Sequence, residues 1–201
     1  MSTKAPLFTS LGLNSAPEES RPILEKVQKT FKFIPNLYGA FANSPALLEG
    51  YTALEAAFEK TQLSPVERQL VLLAASVENA CPYCTAAHST VLKHFLRVSP
   101  EVVAAVRSGS PVSDHKLNAL VNLTQEFVSA RGHVGPPTID SFLAAGYRKE
   151  QVLEVLIGVA LKTISNYTDH LSPNELDQGS RRNGRRTRTT TPSGKRRTRF
   201  F

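Results

Sequence analysis

The run SPVERQLVLLAASVE, residues 64 to 78, limits the fold more than any other stretch. Ser64, Pro65 and Glu67 combine an N-cap, a first-turn proline and a capping box, so a helix is predicted from Pro65 to about Glu78. Leu70, Val71, Leu72, Leu73 and Ala74 follow without a break and cover most of its circumference. Such a helix needs apolar partners on most sides. Other helices supply them, because the remaining apolar positions also recur at helical spacing. Glu18 to Lys32 carries Ile23, Leu24, Val27 and Phe31. FIPNLYGAF follows, with a proline break. Ser44-Pro45 caps a helix through Lys60, striped by Leu47, Leu48, Tyr51, Leu54 and Phe58. A helix from near Cys81 should reach about Arg97, and a short one from Ser99-Pro100 should stop at Gly109. Ser113 is expected to cap another, ending at Gly132; GPPTIDSFLAAGY gives one more short helix, and the last long one spans Arg148 to about His170. No run alternates as a strand would. The expected class is all-α, with antiparallel helices around one core.

The chain has 201 residues and is 41% hydrophobic, enough for one domain of ordinary size. Its formal net charge of +7 belongs to the end of the chain. Residues 179–201 carry nine Lys/Arg and no acid, which leaves 15 basic and 17 acidic residues elsewhere, a net charge of −2. The expected division is a flexible N-terminus over 1–14, a helical domain over 15–178, and a disordered Arg-rich tail over 179–201. Such a tail has the chemistry to contact phosphates, but no basic face on the domain prepares for nucleic acid, so none is expected as a partner. Nothing at the N-terminus resembles a signal peptide. The longest apolar stretch, around Val152 to Ile164, is broken by Glu154 and Lys162, so no membrane span is expected. The expectation is a cytoplasmic protein, where a lone CxxC is catalytic or metal-binding more often than a structural staple.

CPYCTAAH, residues 81 to 88, holds both cysteines of the chain. In a helix starting near Cys81, Cys84 lies three residues on and His88 four further, so two thiols and an imidazole share one face. Unpaired N–H groups and the positive end of the helix dipole favour a thiolate there, the reactive form of cysteine. His88 is expected to take the thiol proton or to stabilise the thiolate as imidazolium. The competing reading is a zinc site, for which Cys81, Cys84 and His88 supply three ligands where a structural site wants four. A second CxxC and an HxxxH are both absent. Tyr83 lines a pocket or packs at the surface. Phe31, Phe33, Phe41 and Phe58 read as core or oligomer contacts rather than a cofactor cage.

The stretch LSPVERQLVLLAASVENACPYCTAAHSTVLK, with the upstream IPNLYGAFANSPALLEGY and the later NYTDHL, resembles the carboxymuconolactone decarboxylase superfamily, in its alkylhydroperoxidase D-like, peroxidase-related branch. The resemblance covers roughly residues 15 to 172. It implies an all-helical homo-oligomer (dimer, trimer or hexamer) that reduces peroxides without a cofactor or metal. Carried over, Cys84 matches the peroxide-attacking thiolate, Cys81 the thiol that condenses with the resulting sulfenic acid, and His88 the relay histidine. A dithiol or a lipoylated protein would then reduce the disulfide. The glutamate usual in this relay, twelve residues before the first cysteine, is Gln69 here. Glu67 and Glu78 both lie roughly 160–180° around the helix from that position. Glu67 reads as the capping-box partner; Glu78 is a solvated helix end or touches the site across the turn. The alternatives are a lactone-decarboxylating lyase, which would not need two cysteines, and a zinc-stabilised helical module without enzymatic activity.

Overall fold

The structure, a computed structural model, describes residues 6–184. Among them every regular element is helical. In order they are α1 (Arg21–Phe31), α2 (Asn36–Phe41), α3 (Pro45–Glu59), α4 (Pro65–Glu78), α5 (Pro82–Thr90), α6 (Pro100–Ser108), α7 (His115–Ser129), α8 (Pro136–Ala144) and α9 (Lys149–Leu171). A 3-10 turn, Glu18–Ser20, leads into α1, a π-helical turn, Val91–Phe95, prolongs α5, and a 3-10 turn, Gln178–Asn183, follows α9. The all-α expectation holds.

Local chemistry sets most starts. Ser44 accepts from Leu47 N and opens α3. Ser64 accepts from Glu67 N while the Glu67 carboxylate accepts from Ser64 N, the capping box read in the sequence. For α7 the cap is Asp114, one residue beyond the expected Ser113, because its carboxylate accepts from Leu117 N. Gly109, at φ 70°, ends α6 in the left-handed region where glycine carries no Cβ penalty.

The apolar run of α4 is buried as its composition requires: Leu70, Val71, Leu73 and Ala74 are fully enclosed. α4 packs against α5, α7 and α9 and so forms the centre of the domain. α9 reaches it closely because Gly158 has no side chain. A Cβ there would meet Val71 Cγ1 at 2.6 Å and the Phe58 ring at 2.8 Å. Lys162, Asn166 and Asp169 follow Gly158 at helical spacing, so this close approach carries three polar side chains to the face of α9 that meets α5.

The turn between α4 and α5 places the cysteines. Ala80 adopts φ 54°, its N–H donates to Val77 O, and Cys81 N–H donates to Ser76 O. This is a Schellman motif with alanine at the left-handed position. It makes Cys81 the N-cap of α5: its sulfur accepts from Cys84 N at 3.4 Å.

The chain after α9 is more ordered than the expected boundary at 178. Asn183 is buried, its amide donates to Thr90 Oγ1 at 2.9 Å, and its carbonyl accepts from the Arg107 guanidinium at 2.7 Å. Polar bonds to backbone and side chains hold this segment, and apolar periodicity does not register them. The rest of the Arg-rich tail lies outside the described residues.

Candidate active site

Cys81 and Cys84 are both free thiols, 0% and 1% exposed. Cys81 donates its S–H to Asp169 Oδ2 at 3.3 Å. Asp169 is fixed by its other oxygen, which accepts from Asn174 N at 3.0 Å and Asn174 Nδ2 at 3.1 Å. The hydrogen bond with Cys84, burial, and the negative charges of Cys84 and Asp169 push the Cys81 thiol up, so it keeps its proton. The same hydrogen bond from Cys81 holds Cys84 down; burial opposes it, and the Lys162 charge and the Asn166 amide reinforce it against Asp169. Asn166 is fully buried, and its Nδ2 has no other hydrogen-bond partner among the described residues. The shifts are thus opposite, favouring a thiol at Cys81 and the anion at Cys84.

His88 lies one turn beyond Cys84. Its Nε2 meets Lys162 Nζ at 2.9 Å and its Nδ1 meets Gln69 Oε1 at 2.9 Å. An ammonium only donates, so Nε2 accepts and the ring proton resides on Nδ1, where the glutamine oxygen receives it. Burial and then the Lys162 charge hold the imidazole well below its ordinary value. The imidazolium role expected for His88 is therefore corrected. The cation beside the thiolate is Lys162, 1% exposed, from a helix 78 residues along the chain from Cys84 in number.

A cavity of about 640 Å³ opens beside Cys84. Phe31, Phe33, Tyr38, Tyr51, Phe58 and Phe95 give it an aromatic wall, and its polar lining includes Gln69, His88, Glu55 and Lys162. Tyr83 is buried and also lines it, so its surface reading is corrected: its hydroxyl donates to Asp177 Oδ2 and accepts from Leu37 N at 3.3 Å. Asp177 and Ser180, from the segment after α9, close one side.

The expected site residues divide accordingly. Cys84, His88, Gln69 and Tyr83 line one cavity, with Cys81 behind Cys84. Glu78 is exposed at the end of α4 and is not part of that lining; Asp169 takes the place beside Cys81 that Glu78 was a candidate for. Glu67 faces away, bound by Tyr147 Oη at 2.9 Å and Lys116 Nζ at 3.3 Å. Asn166 lies in the NYTDHL stretch, whose Asn166, Tyr167 and His170 read as near the site or as the end of the last helix, while Lys162, Asp169 and Glu55 are additional to the expected set. Their signal was a row of polar residues at helical spacing in a long buried helix, and an acid on the apolar face of α3. Among the described residues no three His, Cys, Asp or Glu side chains converge as metal ligands, and Lys162 occupies the His88 nitrogen a zinc ion would need.

Residues 45–126 match the carboxymuconolactone decarboxylase family. No curated protein gives a significant match. Among solved structures, an uncharacterized peroxidase-related protein from Ralstonia eutropha JMP134, described as an alkylhydroperoxidase AhpD core, is 19% identical with a TM-score of 0.75, over 88% of this chain and 95% of that one. A peroxidase-related protein from Silicibacter sp. TM1040 is 18% identical with a TM-score of 0.73, over 90% and 97%. A cysteine-to-alanine variant of the debrominase Bmp8, in complex with 2,3,4-tribromopyrrole, is 16% identical with a TM-score of 0.74, again over 90% and 97%. Residues 45–126 thus match the carboxymuconolactone decarboxylase family, and the chain that carries them shares its fold with solved structures described as peroxidase-related proteins.

Proposed function

We propose that this protein is a cofactor-free, CxxC-dependent reductase of organic hydroperoxides. The observation that carries the reading is the asymmetric thiol pair beside an apolar cavity, with the anion at Cys84 and its proton-bearing partner at Cys81. The Cys84 thiolate attacks the terminal oxygen of the hydroperoxide. An S–O bond forms, the O–O bond breaks, and its electron pair leaves with the alkoxide, which is protonated to the alcohol. Cys81 then attacks the sulfur of the sulfenic acid. An S–S bond forms, and hydroxide departs with the Cys81 proton as water. Asp169, already accepting the Cys81 S–H, is placed to draw that proton. Lys162 holds the thiolate, and the neutral His88, fixed by Gln69, holds Lys162 in place. An external dithiol or lipoylated protein returns the disulfide to thiols by exchange. Such a cycle suits a reducing, cytoplasmic compartment, and no helix among the described residues is long and apolar enough to cross a membrane. A homo-oligomer fits the exposed Leu153 and Leu156, one turn apart on α9.

Trapping the intermediate tests the assignment. In Cys81→Ser, organic hydroperoxide should leave a sulfenic acid on Cys84 that dimedone captures, while Cys84→Ser should consume no peroxide. If Cys84→Ser reacts as fast as the parent, Cys84 is not the attacking residue.

The aromatic wall favours a second reading, since the fold is shared with a debrominase whose variant was solved with a halogenated pyrrole. The same two thiols would then replace a carbon–halogen bond by carbon–hydrogen, releasing halide and forming the disulfide. Bromide release from a brominated pyrrole, matched by disulfide formation, would favour it.

A further inference from the structure

The reduction step leaves an alkoxide that needs a proton, and the Lys162 ammonium is committed to the Cys84 thiolate as its charge and to His88 as a donor. Gln69 is an amide. His88 commits its one ring proton to Gln69 and its other nitrogen to Lys162. Cys81 retains its proton for the second step, directed at Asp169.

Three carboxylates line the cavity: Glu55, Glu59 and Asp177. Asp177 is committed to the Tyr83 hydroxyl and to Asn36 N. Glu59 is exposed. Glu55 is half-buried on α3, and the Tyr38 hydroxyl on α2 lies 2.7 Å from each of its oxygens. The other charged or titratable groups acting on it are Glu59 and Tyr51 from its own helix and Lys162 from α9. Lys162 acts electrostatically on both Glu55 and Cys84, and all three line the same cavity.

We infer that Glu55 is the acid that protonates the leaving oxygen when Cys84 attacks a bulky, apolar hydroperoxide held against the aromatic wall. The inference rests on the peroxide-reductase reading of the site. In the step, the Glu55 O–H bond breaks as the alkoxide O–H bond forms, and solvent returns the proton to the carboxylate through the open side of the cavity. Burial raises the Glu55 carboxyl above its ordinary range; the Tyr38 bond opposes this, Glu59 adds to it, and Lys162 opposes it. The direction keeps more of the carboxyl protonated near neutrality than a solvated glutamate would be.

The test uses two oxidants of similar size whose leaving groups differ. Cumene hydroperoxide expels an alkoxide, which needs a proton; perbenzoic acid expels a carboxylate, which does not. Single-turnover oxidation of the reduced full chain is followed for the parent, Glu55→Gln and Glu55→Asp. Glu55→Gln should slow the reaction with cumene hydroperoxide by about 100-fold, the scale of general acid catalysis, and leave the rate with perbenzoic acid unchanged. The parent's rate with cumene hydroperoxide should fall with rising pH as the acid loses its proton, and Glu55→Gln should remove that fall. Glu55→Asp should recover part of the loss. Equal slowing with both oxidants, or no slowing with either, overturns the inference while the reductase reading stands. If the parent loses no thiols to either oxidant, the reductase reading fails, and this inference with it.

Discussion

Lys162 decides how the site works at the scale of single residues. A buried ammonium is costly unless it meets a negative charge or an acceptor, and here it has the Cys84 sulfur and the His88 ring. The thiolate and the ammonium therefore stabilise each other. Replacing Lys162 by methionine keeps much of the volume and removes the charge. The Cys84 thiol should then titrate at least about one unit higher, since one unit corresponds to about 1.4 kcal/mol of lost preference for the anion. The ultraviolet absorbance of the thiolate, taken as parent minus Cys84→Ser across pH, measures it. The sign follows from the group: a cation beside an acid lowers its titration point, so loss of the cation raises it. An unchanged titration would assign the anion's stability to the Cys81 hydrogen bond, the α5 N-terminus and Asn166 instead. This residue also shows what spacing conveys. Cys81, Cys84 and His88 were legible because all three lie within two turns of one helix. Lys162, Asn166 and Asp169 lie 78 or more positions from Cys84, and only packing of α9 on α5 brings them there. In the sequence Lys162 counted merely as an interruption of an apolar stretch.

The turn joining α4 to α5 has the same importance at the scale of elements. Its two hydrogen bonds fix Cys81 as the cap of α5, and they require a left-handed residue at position 80. Alanine holds that conformation at a cost of roughly 1–2 kcal/mol, of which glycine would lose part through its freer unfolded chain. Ala80→Gly should therefore stabilise the fold by about 0.5–1 kcal/mol, read from the urea midpoint at constant slope. Destabilisation would mean that the alanine methyl makes packing contacts worth more than the strain. Helix starts were readable because serine and aspartate caps act within three residues. The exception, Asp114 in place of Ser113, arose where two capping side chains adjoin and the carboxylate reaches Leu117 N. The positive φ at Ala80 left no mark in the sequence, since alanine carries none of glycine's signal for that conformation.

At the scale of the whole molecule, the described residues form helices around α4 and leave an aromatic cavity with Cys84 in its wall and Cys81 behind it. The helical class was legible from periodicity alone, because a helix buried on most sides admits only helical neighbours when no strand pattern is present. The cavity was not. Its wall draws on α1 to α5, α9 and the segment through Ser180, and no local pattern tells an aromatic side chain facing a void from one facing the core. The Arg-rich end misled for a related reason: its composition reads as solvated, yet Arg107, Thr90 and Asn183 tie its first residues to α5 and α6 through polar bonds. These parts meet in one measurement, the stoichiometry of oxidation. Reduced protein treated with one equivalent of cumene hydroperoxide should lose two thiols, yield one equivalent of cumyl alcohol, and give a Cys81–Cys84 disulfide by peptide mapping. Both thiols surviving, or oxidation of Cys84 beyond sulfenic acid while Cys81 stays a free thiol, would contradict the account.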